Sequence, residues 1–311
     1  MHDTNRSGFR DLAGPGDAPG PRLARRTGLL AAGAAMLSGC SGTRVLDALV
    51  SDASYDLRGG TAYGDDARQK LDVYVPRSVP TGTRPAVVVF FYGGSWTRGE
   101  RADYRFVGEA MASAGVIAVV ADYRLSPQVR WDAIARDGAA AVAWTMAHLE
   151  DWGADPRRVF VMGHSAGGWL AAMVALDGRW LAAHGLAPAR LAGWVGLAGA
   201  YDFLPIGDPE VRVAFGWPDT PPASQPVTHV STGAPRTLLI APESDRVVDP
   251  VRNTEGLGAR LRAAGVPVTV RRHPKVNHAT LVGALAGPLR WLAPVRREVL
   301  DFIDPRTQPV A

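Results

Sequence analysis

Val159-Phe160-Val161-Met162-Gly163-His164-Ser165-Ala166-Gly167-Gly168 passes from an apolar strand pattern, through a serine flanked by glycines, into a helical pattern running from Trp169 to Leu176. A serine on so sharp a strand–turn–helix elbow is held in strained backbone geometry with its hydroxyl above the sheet. Side chains at Gly163 and Gly167 would collide with the neighbouring strand and helix. Gly-x-Ser-x-Gly alone says little in a chain with 35 glycines among 311 residues. The strand before it and the helix after it are what give the motif meaning.

Outward from the elbow, apolar runs of four to six residues alternate with helical patterns from Leu71 onward. That alternation predicts an α/β fold, a mostly parallel sheet with helices on both faces. The strands fall at Leu71–Val75, Val87–Phe91, Val116–Ala121, Val159–Met162, Trp194–Ala198, Thr237–Ala241 and Val268–Arg272. Helices fall at Tyr104–Ala114, Asp132–His148, Ala166–Leu176, Val251–Ala264 and Val295–Ile303. Leu71–Val75 alternates apolar and polar residues, as an antiparallel edge strand does, whereas Val87–Phe91 is continuously apolar, as a doubly covered strand is. Phe203 to Ala234 is rich in Pro, Asp and Thr without periodicity. It reads as a surface connection or as a lid or wall overhanging the C-terminal edge of the sheet.

The chain is 47% hydrophobic, which is enough for a large core. Its net charge of +4 comes from scattered arginines. No basic stripe is interleaved with aromatics, so nucleic acid is not an expected partner. The single cysteine, Cys40, excludes an internal disulfide framework and a cysteine-based zinc site. No metal cluster, phosphate loop or dinucleotide fingerprint is present in the sequence, so no cofactor is expected.

Before Cys40, Arg22, Arg25 and Arg26 precede Leu29-Leu30, an Ala-rich apolar run and Leu37-Ser38-Gly39-Cys40. This is a positive region, a short apolar region and a small-residue cleavage site. Leu37 to Cys40 resembles the lipobox of bacterial lipoproteins, in which the Cys is diacylated and becomes the mature N-terminus. Arg25-Arg26 followed by Leu29-Leu30 resembles a twin-arginine signal. The resemblance implies export and a membrane anchor at Cys40 on the periplasmic or extracellular side. Residues 1–39 are then a signal peptide, 40–54 a tether, 55–304 the α/β domain and 305–311 a tail.

A serine at neutral pH needs a histidine to take its proton and a carboxylate to orient that histidine. After an elbow these come from loops following later strands, in the order Ser, Asp, His. Asp245 follows Thr237–Ala241, and His278 follows Val268–Arg272. Asp249 and Glu243 compete for the acid role, although Asp249, just before Pro250, also reads as a helix cap. His273, at the strand end, competes for the base role, while His164 packs beside the turn.

Acyl transfer also needs N–H donors for an oxyanion. One is Ala166, directly after the serine. The others belong to Phe91-Tyr92-Gly93-Gly94-Ser95-Trp96, where two glycines let the backbone turn its amides inward. Gly94 and Ser95 are the expected donors and Gly93 the bend. Trp96 and Trp169 flank the site as core, wall or substrate platform. Asp122-Tyr123-Arg124 reads as scaffold beneath the loop.

Together, Tyr92-Gly-Gly-Ser-Trp96, Asp122-Tyr-Arg-Leu-Ser-Pro127, Gly163-His-Ser-Ala-Gly-Gly168, Tyr201-Asp202, Asp245-Arg-Val-Val248 and Asn277-His278 resemble the α/β-hydrolase fold. Within it they are similar to the esterase/lipase group with a His-Gly-Gly-x-Trp or His-Gly-Gly-Gly loop, which includes carboxylesterases, feruloyl and acetyl esterases and kynurenine formamidases. The resemblance spans about Asp56 to Asp304 and departs at Tyr92, where many members have a loop-holding His. It implies cleavage of small-molecule carboxylic esters through an acyl-enzyme. The rivals are an amidase of the formamidase type, and a binding lipoprotein that has kept only the fold.

Overall fold

The computed structural model describes Thr43 and residues 46–304. Eight strands form one sheet: β1 (Tyr55–Ala62), β2 (Lys70–Pro76), β3 (Val87–Phe91), β4 (Ile117–Ala121), β5 (Val159–His164), β6 (Gly193–Leu197), β7 (Thr237–Pro242) and β8 (Val268–His273). Their order is β1-β2-β4-β3-β5-β6-β7-β8. β2 pairs antiparallel with β4, and every pairing from β4 to β8 is parallel.

Leu71–Val75 is antiparallel as expected, but it is not the edge. β1 lies outside it, pairing antiparallel with it around a bulge between Arg58 and Thr61. β1 leaves no apolar period to read, because most of Tyr55–Ala62 faces solvent and Gly59-Gly60 sits at the irregularity. Residues 46–54, expected as tether, pack on the domain. Leu46 is buried, and Asp47 Oδ1 accepts from the Phe106 N–H at 2.9 Å. The signal-peptide segment, Cys40 and the tail from residue 305 lie outside the described residues. Among the described residues, no helix is long and apolar enough to cross a membrane.

The helices are α1 (Arg105–Ala112), α2 (Trp131–Ala147), α3 (Ala166–Leu176), α4 (Gly178–Ala182), α5 (Pro209–Phe215), α6 (Gly256–Ala263), α7 (His278–Gly283) and α8 (Val295–Ile303). The expected helix 251–264 begins as a π-helical turn over Val251–Glu255 before α6. The positions of three strands, β3, β4 and β5, fix where a ligand can sit. The chain steps from β3 to β4 and then back past β3 to β5, so right-handed crossovers put α1 and α2 on opposite faces. The loops after β3 and β5 therefore diverge and leave a crevice at the C-terminal edge, where open α/β sheets bind ligands. β3, β4 and β5 are buried along their lengths, which makes the floor of that crevice rigid. Every residue of α3 is buried, as expected of a helix that is apolar all round.

Candidate active site

β5 ends at His164, and Ser165 follows at φ 55°, ψ −120° before α3 begins. Non-glycine residues in such geometry cost roughly 1–3 kcal/mol and persist where the surroundings over-determine them. Here the Ser165 N–H is tied to the Leu197 carbonyl of β6 at 3.0 Å. A Cβ on Gly167 would strike the carbonyls of Phe91 and Tyr92 at the end of β3, so the close helix–strand packing behind the elbow requires glycine there.

The structure brings Ser165, His278 and Asp245 into one hydrogen-bonded chain. His278 Nε2 lies 2.8 Å from Ser165 Oγ, and His278 Nδ1 lies 2.7 Å from Asp245 Oδ2. His278 opens α7, whose preceding Asn277 forms a capping box with Thr280, so the imidazole stands on a fixed helix start. Asp245 Oδ1 accepts the N–H groups of Val247 and Val248 at 2.8 and 3.1 Å, which leaves Oδ2 for the imidazole. Burial alone would raise the Asp245 carboxyl. The bond and charge of His278, with the two backbone donors, outweigh it and hold the group below its usual range.

The competitors are engaged elsewhere. Asp249 Oδ1 accepts from the N–H of Val251 and Arg252 at 2.9 and 3.3 Å, as a helix cap does. His273 Nε2 pairs with Glu298 Oε2 at 2.9 Å. Glu243 is exposed. His164 has a more definite place than packing beside the turn. It is buried, its ring lies 4.9 Å from that of His278, and its Nε2 bonds the His278 carbonyl at 2.9 Å. Burial, and then the neighbouring His278, push it down to about 3, so it is a neutral donor at Nε2.

The loop after β3 turns through three successive residues of positive φ: Gly94 at 139°, Ser95 at 52° and Trp96 at 60°. Among the described residues, no backbone carbonyl accepts from the N–H of Gly94 or Ser95. Ala166, as the first residue of α3, has no carbonyl a turn back to bond. Gly93 must be glycine, since a Cβ there would stand 2.9 Å from Ser165 Cβ and 3.1 Å from the His164 carbonyl. Tyr92, at the position where the resemblance has His, is fully buried and stacked between Tyr104 and Tyr123. Its hydroxyl accepts from Arg68 at 2.7 Å and donates to Asp122 Oδ1 at 2.8 Å. Asp122 in turn accepts from the Arg101 N–H and guanidinium at 2.7 and 2.5 Å. Arg124 pairs instead with Asp137, at 2.6 Å. The loop is therefore pinned from below by a side-chain network.

Two cavities meet at Ser165. One, of about 350 Å³, is walled by Trp96, Phe203, Ile206, Val211 and Val248. The other, of about 300 Å³, has Thr43, Gly94, Tyr104, His278 and Val282 among its walls. Ser95, Ser165 and Val247 line both. The first part of the 203–234 segment, Phe203 to Val211, thus walls the first cavity, with Phe203 stacked on Trp96 at 5.5 Å. Of the readings open to Trp169, core holds and substrate platform does not. It is fully buried, donates to the Ser224 carbonyl at 2.8 Å and backs Trp96 edge-on, so it supports the wall and does not line it. Among the described residues, no group of His, Cys, Asp and Glu is placed to hold a metal ion.

The BD-FAE family model matches residues 71–185, a span that holds the Gly93-Gly94 loop and the elbow and ends before Asp245 and His278. The chain is 31% identical over 255 residues to esterase LipC of Mycobacterium tuberculosis, covering 75% of this chain and 63% of that protein. Over 241 residues it is 32% identical to a probable carboxylic ester hydrolase, LipM, of the same organism, covering 71% of this chain and 56% of that one. The chain thus spans less than two thirds of the length of these relatives. Among solved structures, an esterase of Pyrobaculum calidifontis superposes with a TM-score of 0.68 at 22% identity, covering 86% of this chain and 91% of that one. A carbohydrate esterase from gut microbiota superposes at 0.67 and 17% identity, covering 83% and 98%. With the sheet order, the elbow and these structural similarities in hand, the chain has the α/β-hydrolase fold, and over the matched span it is similar to these esterases.

Proposed function

We propose that the protein is a serine hydrolase that cleaves small-molecule carboxylic esters through an acyl-enzyme. The observation that carries this reading is the unbroken chain from Ser165 Oγ through His278 to Asp245, at 2.8 and 2.7 Å. Ser165 donates to His278 Nε2, which takes the proton as Oγ attacks the ester carbonyl. Asp245 holds the proton on Nδ1, fixes that tautomer and stabilises the imidazolium. The N–H groups of Gly94, Ser95 and Ala166 receive the oxyanion, the term on which such catalysis depends most. When the intermediate collapses, the C–O bond to the alcohol breaks and His278 returns its proton to the leaving oxygen. Water then attacks the acyl group by the same route.

Export and lipidation at Cys40 belong to the same proposal and rest on the Leu37-Ser38-Gly39-Cys40 pattern. Two residues, Ser41 and Gly42, separate Cys40 from Thr43, which lines the second cavity, so over three Cα–Cα steps an anchor would sit within about 11 Å of that residue. The test of the chemistry is hydrolysis of short-chain p-nitrophenyl esters together with fluorophosphonate labelling of Ser165. Activity with labelling is the expected result; the absence of both overturns the reading.

A further inference from the structure

Arg84, Arg158 and Arg236 stand just before β3, β5 and β7, three parallel strands, so they gather at the N-terminal edge of the sheet, opposite Ser165. There, with Arg157, they border an open cavity of about 860 Å³. Three of the four guanidinium groups have carboxylate partners: Arg84 with Glu150 at 2.8 Å, Arg157 with Asp155 at 3.2 Å and Arg158 with Asp304 at 2.9 Å. Arg236 has none among the described residues, which leaves one positive charge at the cavity without a counter-charge there.

Arg236 is nevertheless held in a fixed pose. Gly193 makes room for it, since a Cβ there would stand 2.9 Å from the Phe302 ring and 3.0 Å from Arg236 Cγ. The guanidinium lies 4.2 Å from the centre of the Phe302 ring and 5.2 Å from that of Phe160, and its Nε donates to the Ala192 carbonyl at 2.9 Å. Among the described residues, nothing accepts from its Nη1 or Nη2. Those two nitrogens form the fork with which a guanidinium grips both oxygens of a carboxylate, and stacking on rings fixes the fork in advance. Partial burial, and then the charge of Arg158, push the Arg236 guanidinium down from its ordinary value, as they do a cation that lacks an anion.

We propose that this cavity binds a small organic carboxylate, gripped by Nη1 and Nη2 of Arg236. A single uncompensated cation calls for a monoanion, which a carboxylate is and a phosphate monoester is not. The body of the ligand is polar. Phe160 and Ile303 border the cavity but are buried, whereas Thr83, Arg84 and Arg157 are exposed, so a hydroxylated acid such as a sugar acid fits and a fatty acid does not. The site lies apart from Ser165 and does not depend on the ester chemistry.

The experiment follows the side-chain Nε–H resonances of Arg236 and Arg158 in the full chain by NMR, each assigned by its loss in the substitution to Lys, during titration with D-glucuronate. A saturable shift of both is expected. D-glucose, the neutral counterpart, should shift neither, and inorganic phosphate should bind more weakly than glucuronate. Arg236→Met, read at Arg158, should raise the glucuronate Kd about tenfold or more, the scale of a lost hydrogen bond to a charged group. Arg157→Glu reverses a charge on an exposed side chain and should raise it about threefold or more, with circular dichroism reporting that both variants fold. Should Arg236→Met not fold, the wild-type titrations and Arg157→Glu decide. The proposal is overturned if glucuronate produces no saturable shift, if glucose shifts the resonances equally, if phosphate binds more tightly, or if a folded variant binds glucuronate as the wild type does.

Discussion

His164 Nε2 donates to the backbone carbonyl of His278 across 2.9 Å, so the last residue of β5 holds the start of α7 at a fixed height over Ser165. The bond acts on His278 through its backbone, making His164 a positioning residue. His164→Leu is expected to lower kcat by about tenfold to a hundredfold, the scale of a misplacement near 1 Å, with little change in KM. His164→Gln, which restores an N–H donor, should recover part of the loss, as steady-state kinetics of the two variants will show. The same group predicts a pH effect. Its folded value, about 3, lies below that of a free imidazole, so between about 6.5 and 3 the unfolded chain binds the extra proton. Stability from this group is full above that window and falls as pH falls through it. Denaturant titrations should show a shallower acid-side decline in His164→Gln than in the wild type.

Asp245 is the only one of the three candidate acids bonded to the His278 ring, and its carboxyl is held below the usual range. Asp245→Asn would favour the wrong tautomer of His278 while preserving shape, so kcat should fall by about 10³–10⁴. Glu243→Gln, at an exposed carboxylate outside the site, should stay within about twofold of wild type. An Asp245→Asn variant of near-normal kcat would move the acid role elsewhere.

Tyr92 connects the oxyanion loop to Asp122, and Asp122 to Arg101 and Arg68. Tyr92→Phe keeps the stack between Tyr104 and Tyr123 but leaves a buried carboxylate oxygen with one donor fewer. A loss of about 1–3 kcal/mol in unfolding free energy is expected by urea titration, the cost of an unmade hydrogen bond to a charged group.

Much of this architecture is legible because it is local. The continuous apolar run Val87–Phe91, the elbow at Ser165 and the placement of Asp245 and His278 after successive strands each carry a pattern within ten residues. β1 escaped because an exposed edge strand with two glycines has no apolar period. The short helices α4, α5 and α7 escaped because one or two turns cannot establish a 3.6-residue repeat. His164 acts through a contact between segments far apart in sequence, which no local pattern records, and the aperiodic stretch from Phe203 leaves surface connection and wall as alternatives until the contact of Phe203 with Trp96 decides between them. Trp169 stays open between core and platform for the same reason: adjacency to the elbow in sequence places it behind the wall in space.

The lipobox-like segment predicts a chemical outcome at Cys40. Expressed with its leader in a bacterial host, the mature chain should begin at Cys40 and carry acyl chains visible by mass spectrometry. Cys40→Ser should remove the acyl mass and release the protein from the membrane fraction. An unmodified Cys40 in a chain that retains residues 1–39 would contradict the anchor and leave the ester chemistry untouched.

The central claim is that Ser165 carries the acyl group, and the most direct test is p-nitrophenyl acetate hydrolysis by wild type and Ser165→Ala, with circular dichroism to establish that both fold. The account predicts that kcat falls by a factor of about 10³ or more in the variant. Undiminished activity in a folded Ser165→Ala protein would contradict it.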